Sequence, residues 1–274
     1  MGPAQGHRGR GTRSRVDKAL TVANLAPSGQ IRWHSGDMDW DGAVNAHHVL
    51  GGLYRMGRQE WLTEAGWRHL REDGITTVID LRDASERTRR PTDPVVGEAA
   101  RAGIEVLHRP VEDQDVAEYM APALAAGAPY PNHPRYYPAA LRHFPDRLAR
   151  VFAAVAAASG GVVLHCSAGR DRTGLVVTLA LLLADRRDLV LPQYDAGARG
   201  INDWHRTSPV PHPYERHLAG AELEEFLAGR LQALREFADS LPDADAVAAL
   251  LLGHGLSAAE LEAVRAKLRG TTAR

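Results

Sequence analysis

A chain of 274 residues with 44% hydrophobic content suffices for one large domain or two small ones around a packed core. Its net charge of −1 argues against a nucleic-acid or membrane-surface role for the whole molecule. The single cysteine, Cys166, excludes an internal disulfide or thiol relay. With neither a membrane-length apolar run nor a signal-peptide core, the expectation is a cytoplasmic protein lacking a transmembrane segment.

Residues 1–18 are rich in Gly and Arg and show no periodicity. They read as part of a flexible basic tail over 1–30, ahead of a single domain over 31–274 whose core starts near Ile31. Between Trp40 and Gly57 the adjacent His47 and His48 have no partner cluster at ligand spacing, so polar packing or substrate contact is expected rather than metal. Arg55 reads equally as a surface arginine or as a neighbour of the functional pocket. Thr63 suits a helix N-cap, with Leu62 stapling onto Trp67, and Asp73-Gly74 ends that helix. Ile75 to Leu81 is a buried-strand pattern that puts Asp80 at a carboxyl end, where open α/β sheets bind ligands. A third strand is expected from Ile104 to Val111, leading into Glu112 and Asp113. Prolines 122, 129, 131, 134 and 138 divide residues 116–139 into short helical pieces and loops, a rim or lid in which Tyr130, Tyr136 and Tyr137 read first as packing. Leu141 to Ala157 reads as one helix.

The densest information lies in Val162 to Gly174, V-V-L-H-C-S-A-G-R-D-R-T-G. A short apolar run ends at His165-Cys166, a helical run follows to Leu183, and a tight loop joins them with Gly169 inside it and Gly174 just beyond Arg172. Such a strand, loop and helix N-terminus make an anion site. A thiol placed there beside an arginine is deprotonated more readily than a free one. Arg172, six positions after Cys166, offers a planar fork that matches two phosphoryl oxygens, and Thr173 adds a hydroxyl. The plainer alternative is a buried structural cysteine at a strand end.

After Leu183 the segment 195–220, with Trp204, His205 and His212 among several prolines, reads as irregular. Leu223, Phe226, Leu227, Leu231, Leu234 and Phe237 recur at helix-face spacing. Ser257 with Glu260 forms a capping box for the last helix, with Leu256 stapled to Leu261.

The run H-C-x-A-G-x-D-R-T-G resembles the signature loop of the cysteine-dependent protein tyrosine phosphatases. Its Asp171 and the basic residue at position 170 are similar to the mycobacterial-type branch of bacterial tyrosine/lipid phosphatases. The resemblance runs over about residues 35–270 and is weak at 116–139 and 195–220. Asn45, Gly51-Gly52, Asp80-Leu81-Arg82 and the closing helix match, while His47 and His48 stand where Arg and Asp are usual. It implies an α/β fold, a central mostly parallel sheet flanked by helices, with C-terminal helices.

It also implies a phosphomonoester hydrolase. Cys166 would attack phosphorus, with His165 holding the loop and the amides of Ser167, Ala168, Gly169, Arg170 and Asp171 joining Arg172 around the phosphoryl oxygens; Thr173 and Gly174 complete the site. No metal or cofactor is expected, since the thiolate is already the nucleophile. Three carboxylates are candidates for the proton donor: Asp80 and Asp171 together, then Asp113. The partner is a phosphorylated protein or a small phosphate ester. Arg170 stands where lipid-active members carry Lys, so a phosphoinositide or small-molecule ester is the alternative substrate, and a silent phosphate-binding module the alternative function. A rhodanese fits the Arg-Thr-Gly exit poorly, and an arsenate reductase needs further thiols.

Overall fold

The computed structural model describes residues 37–270. The expected basic tail over 1–30 and the start of the core near Ile31 lie outside them. Five strands form one sheet: β1 (His47–Leu50), β2 (Leu53–Met56), β3 (Ile75–Asp80), β4 (Glu105–His108) and β5 (Gly161–His165). Their order is β1-β2-β5-β3-β4, with β1 antiparallel to β2 and every other pairing parallel. The expected mostly parallel sheet is therefore present. Among the described residues ten α-helices surround it: α1 (Glu64–Glu72), α2 (Glu98–Arg101), α3 (Ala117–Ala125), α4 (Tyr137–His143), α5 (Pro145–Ala157), α6 (Asp171–Leu183), α7 (Val190–Thr207), α8 (Gly220–Asp239), α9 (Ala244–Gly253) and α10 (Ala258–Leu268). Among the described residues no helix is long and apolar enough to cross a membrane.

β5 is central, and its run Val162-Val163-Leu164 is apolar throughout because helices cover both faces. Alternation along the strand divides the core. Val162 and Leu164 join the layer built with α5, α6 and the C-terminal helices, while Val163 packs with Trp40, Trp67 and Val78 on the α1 side. Every α6 residue from Thr173 to Leu183 is buried, which accounts for its nearly continuous apolar sequence. In register, Met56 of β2 and Asp80 of β3 both pair with His165, so three strands end at one level and the following loops share one edge.

Local signals hold at several places. Thr63 Oγ1 accepts from the Gly66 amide at 3.1 Å, with Leu62 and Trp67 in one cluster, and the Ser257–Glu260 capping box is formed. Three expectations are corrected. The third strand covers only Glu105–His108. The single helix over 141–157 is two, because Pro145 lacks an amide and forces Phe144 out of helical geometry (φ −133°, ψ 38°) before starting α5. The segment 195–220 is helical as far as Thr207: Val190, Tyr194, Ala198, Ile201 and Trp204 are buried at helical spacing, with Pro192 tolerated in the first turn.

Candidate active site

The loop from Cys166 to Asp171 is held from behind by its carbonyls. The Cys166 carbonyl lies 3.1 Å from His165 Nδ1, and the Ser167 carbonyl accepts from the Arg58 amide at 3.0 Å. The Ala168 carbonyl accepts from Asn45 Nδ2 at 2.9 Å, and that of Gly169 from Arg55 Nη2. Arg170 and Asp171 carbonyls accept from the Gly174 amide and the Tyr137 hydroxyl, each at 2.8 Å. The amides of Ser167, Ala168, Gly169 and Arg170 donate to no group among the described residues. A loop whose carbonyls are all engaged by the scaffold turns its N–H dipoles the other way, as an anion nest does. Gly169 makes this possible: its φ is +72°, and a Cβ there would run into the Met56 carbonyl.

Cys166, Ser167, Ala168, Arg170, Asp171 and Arg172 line one cavity of about 400 Å³. Of the sequence-derived candidates, these are the ones the fold brings together on that surface. His165 is fully buried beneath the loop, its Nε2 unpartnered, and burial pushes its imidazole toward the neutral form. Thr173 is also fully buried, with its hydroxyl unpartnered, in the first turn of α6. Gly174 packs against Tyr137 and Tyr194, where a side chain would not fit.

The three carboxylate candidates part company. Asp80 is fully buried behind the loop and bound by Arg82 at 2.9 and 2.7 Å. Although burial opposes it, Arg82 holds the Asp80 carboxyl far below the usual range. It does not line the cavity, so of the two carboxylates ranked first as proton donor it is the one the fold withdraws from that surface. Asp113 is also away from the cavity, bound to Arg147 Nη2 at 2.7 Å. Asp171 does line it, with Oδ2 accepting from Arg170 Nε at 2.8 Å and Oδ1 from the Tyr194 hydroxyl at 2.9 Å.

Four features were missed or left open in the sequence. Glu86, on the turn after β3, grips Arg172 through both carboxylate oxygens and accepts from Ser167 Oγ at 3.2 Å. Glu215 binds Arg170 at 3.1 and 2.7 Å and lies 3.3 Å from His205. Arg170 is thereby 3% exposed and paired with two carboxylates. Trp61 and Trp204 meet at 5.3 Å as an aromatic wall, with Tyr130 and Tyr214 at 6.3 Å as another. Arg55, left open as surface or pocket, is fully buried under the loop. A loop carboxylate just past a strand's carboxyl end was the available signal for Glu86; Glu215 sat in a segment with no local pattern. His47 and His48 make polar contacts, to Asn45 Oδ1 and the Gly51 carbonyl at 2.9 Å each.

The chain is 33% identical over 171 residues to the triple specificity protein phosphatase PtpB of Mycobacterium tuberculosis, a match spanning 53% of this chain and 60% of that protein. Among solved structures it is similar to the catalytic core of the PP-IP phosphatase SIW14 from S. cerevisiae, at 15% identity over 73% of this chain and 95% of that one, with a TM-score of 0.35. It is also similar to TpbA of P. aeruginosa, at 16% identity over 72% and 91% of the two chains, with a TM-score of 0.28. The family model of the tyrosine phosphatases matches residues 43–270, and the chain belongs to the tyrosine phosphatase family.

Proposed function

We propose that this chain hydrolyses phosphate monoesters through a phosphocysteine on Cys166. The observation that carries the reading is the inverted loop: every carbonyl from Cys166 to Asp171 is engaged by a protein partner, while the amides of residues 167–170 stay free beside Cys166 and Arg172. In the first step the Cys166 sulfur bonds to phosphorus as the ester P–O bond breaks. Asp171, the one of the three candidate carboxylates on the cavity, gives its proton to the leaving oxygen. In the second step water attacks phosphorus, its proton passes to Asp171, and the S–P bond breaks to release phosphate and thiolate. Loop amides and Arg172 stabilise the equatorial oxygens in both steps.

The aromatic walls favour a phosphotyrosine or other aryl ester. Pairing of Arg170 with Asp171 and Glu215 counts against a polyanionic phosphoinositide headgroup, since those arginine donors are already engaged. The triple specificity of the mycobacterial relative calls for a panel of several ester classes. The test is phosphate release in EDTA by native protein and Cys166→Ser, on phosphotyrosine and phosphoserine peptides, phosphatidylinositol phosphates, and nucleoside and sugar monophosphates. Turnover by the native chain alone, fastest on aryl esters, is expected. Binding of esters by Cys166→Ser with no turnover by native protein would make the loop a recognition module.

A further inference from the structure

Arg55 lies under the phosphate loop with no carboxylate bound to it. It is fully exposed to the core and not to water: its relative accessibility is 0%, at the middle of β2. Among the described residues it makes no ion pair. Its guanidinium donates to two backbone carbonyls, Gln193 in α7 at 2.6 Å and Gly169 in the phosphate loop, and its Nε has no partner. Burying a cation this way is costly unless something compensates it. The fold nevertheless makes room for it, since a Cβ at Gly197 would overlap the guanidinium.

We infer that Arg55 is a positioning residue of the reaction: it turns the Gly169 carbonyl away from the cavity and supplies, from behind the loop, the positive charge that favours the Cys166 thiolate. This rests on the cysteine phosphatase reading. The charged and titratable groups around the thiol limit what else could do it. Arg172 faces it from α6 but is gripped by Glu86 and Glu112. Asp171 is a carboxyl group, not a cation, and it is tied to Arg170. Tyr137 of α4 and Tyr194 of α7 stay neutral, burial above all pushing both hydroxyls up. His165 of β5 is neutral for the same first reason. Arg55 is the cation in this set to which no carboxylate is bound, and the substrate's dianion and the thiolate are left to pair with it.

Because Cys166 is the only cysteine, alkylation by iodoacetamide reports on it alone. The experiment measures alkylation rate against pH for native protein, Arg55→Met and Arg55→Lys, with circular dichroism as the control for folding and inorganic phosphate affinity as a second readout. Arg55→Met is expected to need a higher pH for half-maximal alkylation and to react about tenfold more slowly at neutral pH. Arg55→Lys keeps the charge, so it is expected to keep the native profile while binding phosphate more weakly, having lost the fork that spans both carbonyls. If Arg55→Met does not fold, Gly197→Ala decides, since it displaces the guanidinium and should move the profile the same way. A native profile in folded Arg55→Met, or in Gly197→Ala where that variant decides, overturns the inference. No substrate enters this assay. A shifted profile in a chain that hydrolyses no ester would refute the phosphatase reading and leave the role of Arg55 in the loop, whereas an unshifted profile in an active phosphatase would refute only Arg55.

Discussion

Glu86 and Arg172 meet fork to fork, with Arg172 Nη2 donating to Glu86 Oε1 at 2.7 Å and Nη1 to Oε2. Glu86 is itself anchored, accepting from the Asp83 amide at 3.1 Å as part of a capping box. The guanidinium plane is therefore set by the turn after β3 before any phosphate arrives, which lowers the cost of organising the transition state. Burial works against it, yet Arg172 keeps the Glu86 carboxyl below its ordinary range, so the pair stays ionic.

From this pairing, Arg172→Lys should lower kcat by about 10²–10³-fold, because a point charge cannot replace the fork. Glu86→Gln should lower kcat by about tenfold, roughly 1.4 kcal/mol, through looser orientation. Steady-state phosphate release on one aryl ester checks both. Equal activity in Glu86→Gln and native protein would show that Arg172 needs no holder.

Asp171 and Asp80 should separate cleanly. Asp171→Asn is expected to slow esters with poor leaving groups by about 10²–10⁴-fold while sparing activated aryl esters, which need no proton. Asp80→Asn leaves Arg82 buried with one fewer anion and should cost about 3–5 kcal/mol of stability in urea unfolding. If Asp80→Asn kept full stability but showed the leaving-group dependence, the proton donor would have to be reassigned.

Acid should destabilise the fold in two windows. Burial first, then Arg230, push the His133 imidazole down to about 4, and burial lowers His165. Each is neutral in the fold but takes a proton more readily when unfolded. Their stabilisation is complete above the unfolded histidine value of about 6.5 and declines as pH falls toward the folded values. Asp80 adds the opposite charge type with the same sign: its stabilisation is present above about pH 4 and is lost below it. Thermal melts from pH 8 to pH 4 should show a falling Tm, and His133→Asn should flatten the upper window. A Tm unchanged between pH 7 and pH 5 contradicts this assignment.

Glu215 should tune the charge of the cavity. It sits opposite Arg170, and despite burial Arg170 and His205 keep its carboxyl well below the normal range. Glu215→Gln removes one anion from the wall and frees part of the Arg170 fork. Its kcat/KM should rise several-fold on doubly charged esters relative to singly charged ones, and the gain should shrink with added salt. No change in that ratio would mean that Arg170 does not reach the substrate.

The strand, loop and helix around Cys166 follow from short-range pattern and glycine placement, as do the Thr63 and Ser257 caps. α7 is obscured in the sequence because the segment 195–220 mixes polar and aromatic residues with several prolines, although Gly197 and Gly200 both lie within the helix. The first of these is small for a reason outside the helix: it seats Arg55.

The sequence by itself determined the constellation of thiol, loop amides and arginine, because it depends on neighbours a few residues away, while the mostly parallel sheet with its flanking helices was legible only through the family resemblance. Only the tertiary structure decided which anion faces which arginine. Glu86 reaches Arg172 across 86 positions and Glu215 reaches Arg170 across 45, and Asp80 is withdrawn behind the loop by Arg82 and Glu60. Strand order and helix docking set those encounters. Ion pairs carry no periodicity of their own, so nothing along the chain announces a partner until the sheet has brought the two ends of its strands to the same edge.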